Sequence, residues 1–582
     1  MDAELANEHG RLIALAEEVA NGLARLDHGT GRLPDPVTGA ASPPDHYGHT
    51  FTSLALARQG HQDWDAPLCH WLAQPAGRRG HAPFNRLALY LLHGWLQGSG
   101  NASDALALVE SAGRDCVEPA RYASNNWVML AAAMDVLDAP TNARADAAAA
   151  RVTELASQWT TAAGAFIDLP RKPVGSRGAT PLAYHHKYLL CLWLARRMRP
   201  SAALDRLLAR GLNWLGVALD ETGGYCGGFG RSTHALFGDT ALLVVLAGVA
   251  RETEDPGTRS RITGIIRAIR QRLEAQRRDD GLLWLTPARC SGADGGWDGY
   301  MFLTVYNAWF AGLTLAMQDA PAVAPFREVV DFGVDHDPEA GLASVNGPRG
   351  TALVSIRGQP PQGFSRTQAE CRYVAGQLYH LGCAGQPLVP PGARVSADTL
   401  LATPWLATWT PVVEAGGLLY GCGDWQTSRC QRDGERLIVT GAGQPTALVS
   451  PQERGARRIL AALDWRFLGG RLARRKGQSP AALIGHEWAW AMSVDLGAGQ
   501  VVITWTLTGR AGSDARCLSL FPAPVLDHAA ASWSQRVPKG EWPEPEPMPD
   551  AIPSALGWWR GMRHRPVPWP AETTVVEWTL AF

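Results

Sequence analysis

The sequence has no CxxC pair, and its ten cysteines are scattered, with Cys422 and Cys430 the nearest two. Neither a disulfide framework nor a zinc-finger pattern is present. Neither sign of charge is in excess: 54 Lys+Arg stand against 55 Asp+Glu. That balance gives no footprint for nucleic acid. Long apolar runs are missing too. The longest, 241–250, is too short to cross a bilayer, so no membrane partner is expected. The N-terminal MDAELANEHGRLIALAEEVANGL lacks a basic start and an unbroken apolar centre, which excludes a signal peptide. It reads as an amphipathic helix, and the expected setting is the cytosol, or a secreted protein supplied without its leader. Neither HxxxH nor HExxH occurs. His46 and His49 lie three apart but find no third ligand, so no metal or other cofactor is expected. The glycine-rich GGYCGGFGR (223–231) does not follow a strand pattern, which argues against a phosphate loop.

Two textures divide what remains. Up to about residue 320, runs such as LALYLLHGWL, WVMLAAAMDVL and ITGIIRAIRQRL carry apolar residues three and four apart, the helical period. After about residue 340, short β-branched segments appear between turn residues, among them TALVSIRG, RLIVTGAG and QVVITWTLTG. In EWAWAMSVD, Trp488, Trp490, Met492 and Val494 alternate with smaller or polar neighbours, the period of a half-buried strand. The expected organisation is a helical domain over 1–325 and an antiparallel β-sandwich over 340–582.

The helical half repeats. Gly-plus-aromatic turns occur at GAF (164–166), GGY (223–225) and DGLLW (280–284). Six apolar helices open near 45, 84, 125, 184, 232 and 298, alternating with more polar ones such as DAAAARVTELASQW. A helix apolar on most sides must be buried on most sides. Six inner helices ringed by six outer ones form an (α/α)6 toroid, and the inner helices then share one rim. The expected fold class is α+β, toroid followed by sandwich.

The side chains converging on that rim are phenols, imidazoles, amides and guanidines more than acids. They include His46, Tyr47, His49, Asn85 with nearby His81, Asn125, Asn126, Trp127, Tyr184, His185, His186, Tyr188, Arg231, His234, Tyr300, Tyr306 and Asn307, with Arg171, Lys172 and Arg177 in the loop before the fourth inner helix. Glycoside hydrolysis ordinarily needs two carboxylates. β-Elimination on a uronic acid needs the uronate charge neutralised by amide, imidazole or guanidinium donors. It also needs a Tyr or His to move the C5 proton. Asn125 and Asn126 suit the first task, the Tyr and His residues of YHHKY the second, and Arg171 and Arg177 would attract a polyanion. His49, Trp127, Tyr300 and Tyr306 complete a candidate substrate surface. The 23 tryptophans suit sugar stacking or core packing equally well.

NNW (125–127) and GAFID…PLAYHHKYLL (164–190) resemble segments of polysaccharide lyases, the heparinase II/III, alginate lyase and chondroitin/hyaluronan lyase group. The resemblance implies a toroid followed by a β-sandwich, and an acidic polysaccharide or oligosaccharide as substrate. It further implies an Asn at 125 or 126 on the uronate, a catalytic Tyr at 184 or 188 assisted by His185 or His186, and Arg231 with His234 supporting charge. The competing expectation is an inverting (α/α)6 hydrolase using two of Asp168, Glu221, Asp239 and Asp298. A non-catalytic glycan-binding protein with Trp-rich surfaces is the third.

Overall fold

In the computed structural model all residues are described except 1–2, 101–102, 117, 120–121, 123, 169–179, 221–235, 290–301, 318–322, 359–367, 424, 450–455, 469–470, 473–480, 510–513, 520–524, 537–545, 555, 564 and 570–572. Among the described residues twelve α-helices precede the strands. Their order is α1 (Ala3–Asp27), α2 (Gly48–Arg58), α3 (Ala66–Leu72), α4 (Ala82–Gly98), α5 (Ser103–Arg114), α6 (Asn125–Leu137), α7 (Asn142–Gln158), α8 (Leu182–Met198), α9 (Ala202–Trp214), α10 (Leu236–Glu252), α11 (Pro256–Ala275) and α12 (Leu303–Met317).

The even-numbered helices close a ring. α2 packs on α4, α4 on α6, α6 on α8, α8 on α10, α10 on α12, and α12 returns to α2. Each odd-numbered helix lies outside: α3 against α2, α5 against α4, α7 against α6, α9 against α8, α11 against α10, and α1 against α12 and α11. This is the (α/α)6 toroid, and composition explains which helix goes where. In α10, LFGDTALLVVLAGVARE, every residue except Arg251 is buried, whereas only Val109 and Ala112 are buried in α5. The outer helices α7, α9 and α11 are capped by their own Thr141, Ser201 and Asp255 side chains, as exposed helix ends commonly are.

Close packing of the inner ring rests on missing side chains. A Cβ built on Gly248 of α10 would meet the Trp193 indole of α8 at 2.3 Å, whereas one built on Gly264 of α11 meets nothing within 4 Å. Gly248→Ala therefore lowers stability by about 1–3 kcal/mol through overpacking. Gly264→Ala raises it by roughly 0.5–1 kcal/mol through helix propensity and a less flexible unfolded chain. Denaturant midpoints of the two variants moving in the same direction would refute this account of the ring.

The strands begin at His336–Asp337 and pair antiparallel throughout the named sheets. The largest sheet orders Gln426–Asp433, Arg436–Gly443, Glu487–Asp495, Gln500–Thr508, Thr574–Ala581 and Ser532–Arg536. A five-stranded sheet runs from His336–Asp337 through Leu342–Gly347, Gly350–Ser355 and Leu378–Cys383 to Gln386–Pro387. A second five-stranded sheet includes Leu418–Gly421, Val412–Ala415 and Arg516–Ser519. All three contribute to one apolar core, as Val345, Val354, Val413, Trp488, Trp505 and Trp578 illustrate. The alternation in EWAWAMSVD is realised directly, with Trp488, Trp490, Met492 and Val494 facing that core. These indoles are packing material.

A buried carboxylate ties the helices to the strands. Asp337 Oδ2 accepts from Thr161 Oγ1 at 2.7 Å and from Trp214 Nε1 at 2.9 Å. Its Oδ1 accepts from the backbone N–H groups of Glu339 and Ala340 at 3.0 and 2.9 Å. Four donors satisfy a group that is nearly costless to bury only in such company.

Candidate functional site

The leading ends of all six inner helices meet in one aromatic basin. His46 and Tyr47 come from the entry to α2, His81 and Phe84 from α4, Asn126 and Trp127 from α6, Tyr184 and Lys187 from α8, Phe237 from α10, and Phe302 and Tyr306 from α12. Tyr47 stacks on Phe84 at 4.4 Å between ring centres and meets Tyr306 and Trp309 edge-on. Phe84 meets Trp127 and Phe237, and Phe237 meets Tyr184 and Tyr306. At α2, α4, α6 and α8 the N-cap residue makes no side-chain capping bond. The positive ends of these helix dipoles thus face the basin without the usual local cap.

The floor is a polar chain running from an acid to a base. Gly164, at φ 116° and 2.4 Å from the Arg210 carbonyl for any added Cβ, lets the chain reverse after α7. The reversed strand is then pinned: Phe166 N–H donates to His185 Nδ1 at 3.1 Å, and Asn125 Nδ2 donates to the Ile167 carbonyl at 2.7 Å. Asp168 follows, buried, and its Oδ1 accepts from the Asn126 backbone N–H at 2.8 Å and from Asn126 Nδ2 at 2.7 Å. Asp168 thereby caps α6 from a distant segment, a carboxylate at a helix N-terminus. Asn126 Nδ2 also donates to Ser124 Oγ, and Asn126 Oδ1 accepts from Lys187 Nζ. The Lys187 ammonium, 1% exposed, lies 4.7 Å from the Phe84 ring centre, 5.3 Å from Trp127 and 5.5 Å from Tyr184. A cation inside an aromatic cage is held by ring quadrupoles as well as by the amide.

Two imidazoles border the basin in neutral form. His46 stacks on His81 at 4.3 Å. Burial, and secondarily the neighbouring His81, push His46 down to about 4; burial also lowers His81. His81 Nδ1 donates to the Asp45 carbonyl, which leaves Nε2 as the acceptor nitrogen.

The sequence-predicted residues separate by direction. Asn126, Trp127, Tyr184 and Tyr306 face the basin. Asn125 holds the 164–168 turn, and Asn307 does the same for DGLLW, bonding the Leu283 N–H and carbonyl at 2.8 and 2.9 Å. His49 is fully buried against His70 at 5.3 Å, and burial pushes it down to about 3. His185 lies between Phe166 and the Gly211 carbonyl, which its Nε2 meets at 2.9 Å, and burial holds it at about 3. His186 packs beside Gly238 of α10, held well below its ordinary value by burial. Tyr188 stacks on Phe166 at 4.8 Å, its hydroxyl accepting from Thr160 Oγ1 at 3.1 Å; burial pushes it up to about 12. His49, His185 and Tyr188 thus turn to elements outside the inner ring, and His186 lies between two neighbouring inner helices. Arg171, Lys172, Arg177, Arg231, His234 and Tyr300 lie outside the described residues, as do Glu221 and Asp298. Asp239 is buried against Arg272 Nη2 of the outer α11 at 3.0 Å. Among the described residues no group of three or more His, Cys, Asp or Glu is arranged to hold a metal ion.

Lys187 is the residue that sequence reasoning passed over. The chain has four lysines, at 172, 187, 476 and 539. One of them within a buried helix of an arginine-rich protein was the available signal.

No family model and no curated protein matches this chain. Among solved structures it is similar to heparinase III, the BT4657 gene product with methylated lysines, at 9% identity over 91% of this chain and 76% of that one, with a TM-score of 0.46. It is also similar to a family 88 glycosyl hydrolase from Bacteroides vulgatus (8% identity, 52% of this chain and 99% of that one, TM-score 0.36). An alpha-1,6-mannanase from Salegentibacter sp. gives 12% identity over 53% of this chain and 98% of that one, with a TM-score of 0.39. None of these similarities assigns a residue or a substrate here.

Proposed function

We propose that this chain is a glycan-processing enzyme that cleaves a uronic-acid-containing polysaccharide by β-elimination in the aromatic basin. The observation that carries the reading is the basin's chemistry. Phenol, imidazole and amide groups surround one buried ammonium; of the two described acids named for hydrolysis, Asp239 pairs with Arg272 of an outer helix, and Asp168, in the floor, is taken up by Asn126. In this reading Lys187 and the positive helix ends draw the uronate carboxylate toward the floor and stabilise the charge that develops on it. Asn126 spends its amide donors on Asp168 and Ser124, so its part is to hold Lys187 in place. Tyr184, as phenolate beside the Lys187 ammonium, takes the C5 proton and, now a phenol, returns it to the leaving oxygen as the C4–O bond breaks. The electrons of the C5–H bond become the C4–C5 double bond. His46 and His81, neutral, border the same space. The residues 1–325 act as the catalytic domain, with 340–582 as its support.

The test is to incubate the protein with a panel of uronic-acid polysaccharides and follow the ultraviolet absorbance of the new conjugated double bond. Its growth, matched by new chain ends, is the expected result. New reducing ends without absorbance would replace elimination by hydrolysis. Binding with neither signal would leave a glycan-binding protein.

A further inference from the structure

The helix Ala456–Phe467, in the β half, carries apolar side chains where no core covers them. Ile459, Leu460, Leu463 and Phe467 are 64%, 60%, 45% and 71% exposed. At the helical period these four positions fall within about 100° of one another, a single face. Leu468 and Leu472, just beyond, are also strongly exposed. Six of the most exposed large apolar side chains among the described residues thus fall within 459–472. Elsewhere on the described surface such side chains are dispersed. A contiguous face of this kind marks an interaction surface.

Charge decides the partner. Within 456–472 the sequence has four arginines (457, 458, 466 and 471) and one acid, Asp464. Asp464 is buried, its Oδ1 accepting from the Leu472 N–H at 3.0 Å. The formal net charge of the whole chain is −1.

We propose that this helix lies in the surface of an anionic lipid bilayer, its apolar face at the boundary between headgroups and acyl chains, the net positive charge of the segment 456–472 drawing it to lipid phosphates. A second copy docking through the same face would set two positive segments against each other across a two-fold axis. A polysaccharide offers anions but no medium in which to bury leucines. The expectation of no membrane partner rested on the lack of a spanning segment, and no described helix is long and apolar enough to cross a membrane. A helix lying flat escapes that criterion. The proposal is independent of the chemistry in the basin.

The experiment is co-sedimentation of the full chain with sucrose-loaded vesicles, either of mixed phosphatidylglycerol and phosphatidylcholine or of phosphatidylcholine alone. Expected is pelleting with the anionic vesicles that weakens as salt rises, and at least tenfold weaker partitioning to the neutral ones. Ile459→Ser with Leu463→Ser should weaken anionic partitioning by about tenfold or more. Arg471→Ala should weaken it by about fivefold. Both variants should keep the wild-type thermal transition, since these side chains are exposed. Absence of pelleting, equal pelleting with both vesicles, or a dimer that the double variant dissociates overturns the proposal.

Discussion

Under the proposed elimination, Tyr184→Phe should lower the rate of cleavage by about 10²–10⁴-fold, the usual weight of a positioned acid–base group, and leave KM little changed. The substitution removes one oxygen and keeps the ring. The edge contact with Phe237 and the ring face beside Lys187 therefore survive, and with them the shape that receives the substrate. Tyr188→Phe is the matched control, one helical turn away. Its hydroxyl is fixed on Thr160, outside the basin, so its loss costs about 1 kcal/mol of stability and little activity. Measuring kcat, KM and thermal transitions for the pair separates the two roles. Wild-type turnover in Tyr184→Phe, or an equal loss in Tyr188→Phe, removes Tyr184 from the mechanism.

Acidification should unfold this protein before most of its carboxylates titrate. His49 and His185 are held at about 3 and His46 at about 4, in each case chiefly by burial. The sign follows from proton counts. Below about pH 6.5 the unfolded chain binds protons that these folded imidazoles refuse, so stability falls as pH drops from 6.5 toward 4 and 3. Each group contributes up to about 1.4 kcal/mol per pH unit, and three together roughly 4. Asp27, Asp239 and Glu252, all raised by burial, take up protons in the fold first and soften the slope at its acid end. Against a typical stability of about 5–15 kcal/mol, the acid midpoint should fall near pH 4–5. His186, held low in the same way, adds to this slope; denaturant titrations across pH 7 to 4 check it, and His185→Gln should flatten the slope by roughly a quarter or less. A stability independent of pH from 6.5 to 4.5 would contradict the buried, neutral assignment.

The toroid was legible because its period is local. Each inner helix is apolar on nearly every side, as LLVVLAGVA of α10 shows, and no exposed helix tolerates that composition. The strand Glu487–Asp495 was equally legible from its alternating Trp488, Trp490, Met492 and Val494. The convergence of the helix starts was legible; the direction of each side chain on them was not. A helix start advertises its Tyr, His and Asn residues but not the direction each one faces. Adjacent residues on a helix diverge by about 100°, and only the neighbouring helices decide which of Tyr184, His185, His186 and Lys187 looks inward. Tyr184 and Lys187, three apart, share the basin side, while His185 turns to the Gly211 carbonyl. The paired Asn125 and Asn126 part in the same way, one to the Ile167 carbonyl and the other to Lys187. Asp168 as a remote cap for α6 joins residues 42 apart, a long-range fact that periodicity does not carry.

Asp337 bears on how the two halves of the chain hold together. Swinging the strands away from the helices would strip Thr161 and Trp214 from one carboxylate at once and leave it poorly solvated. That cost opposes a hinge at Asp337, so under the proposed function the strands stay docked on the helices while substrate enters and product leaves.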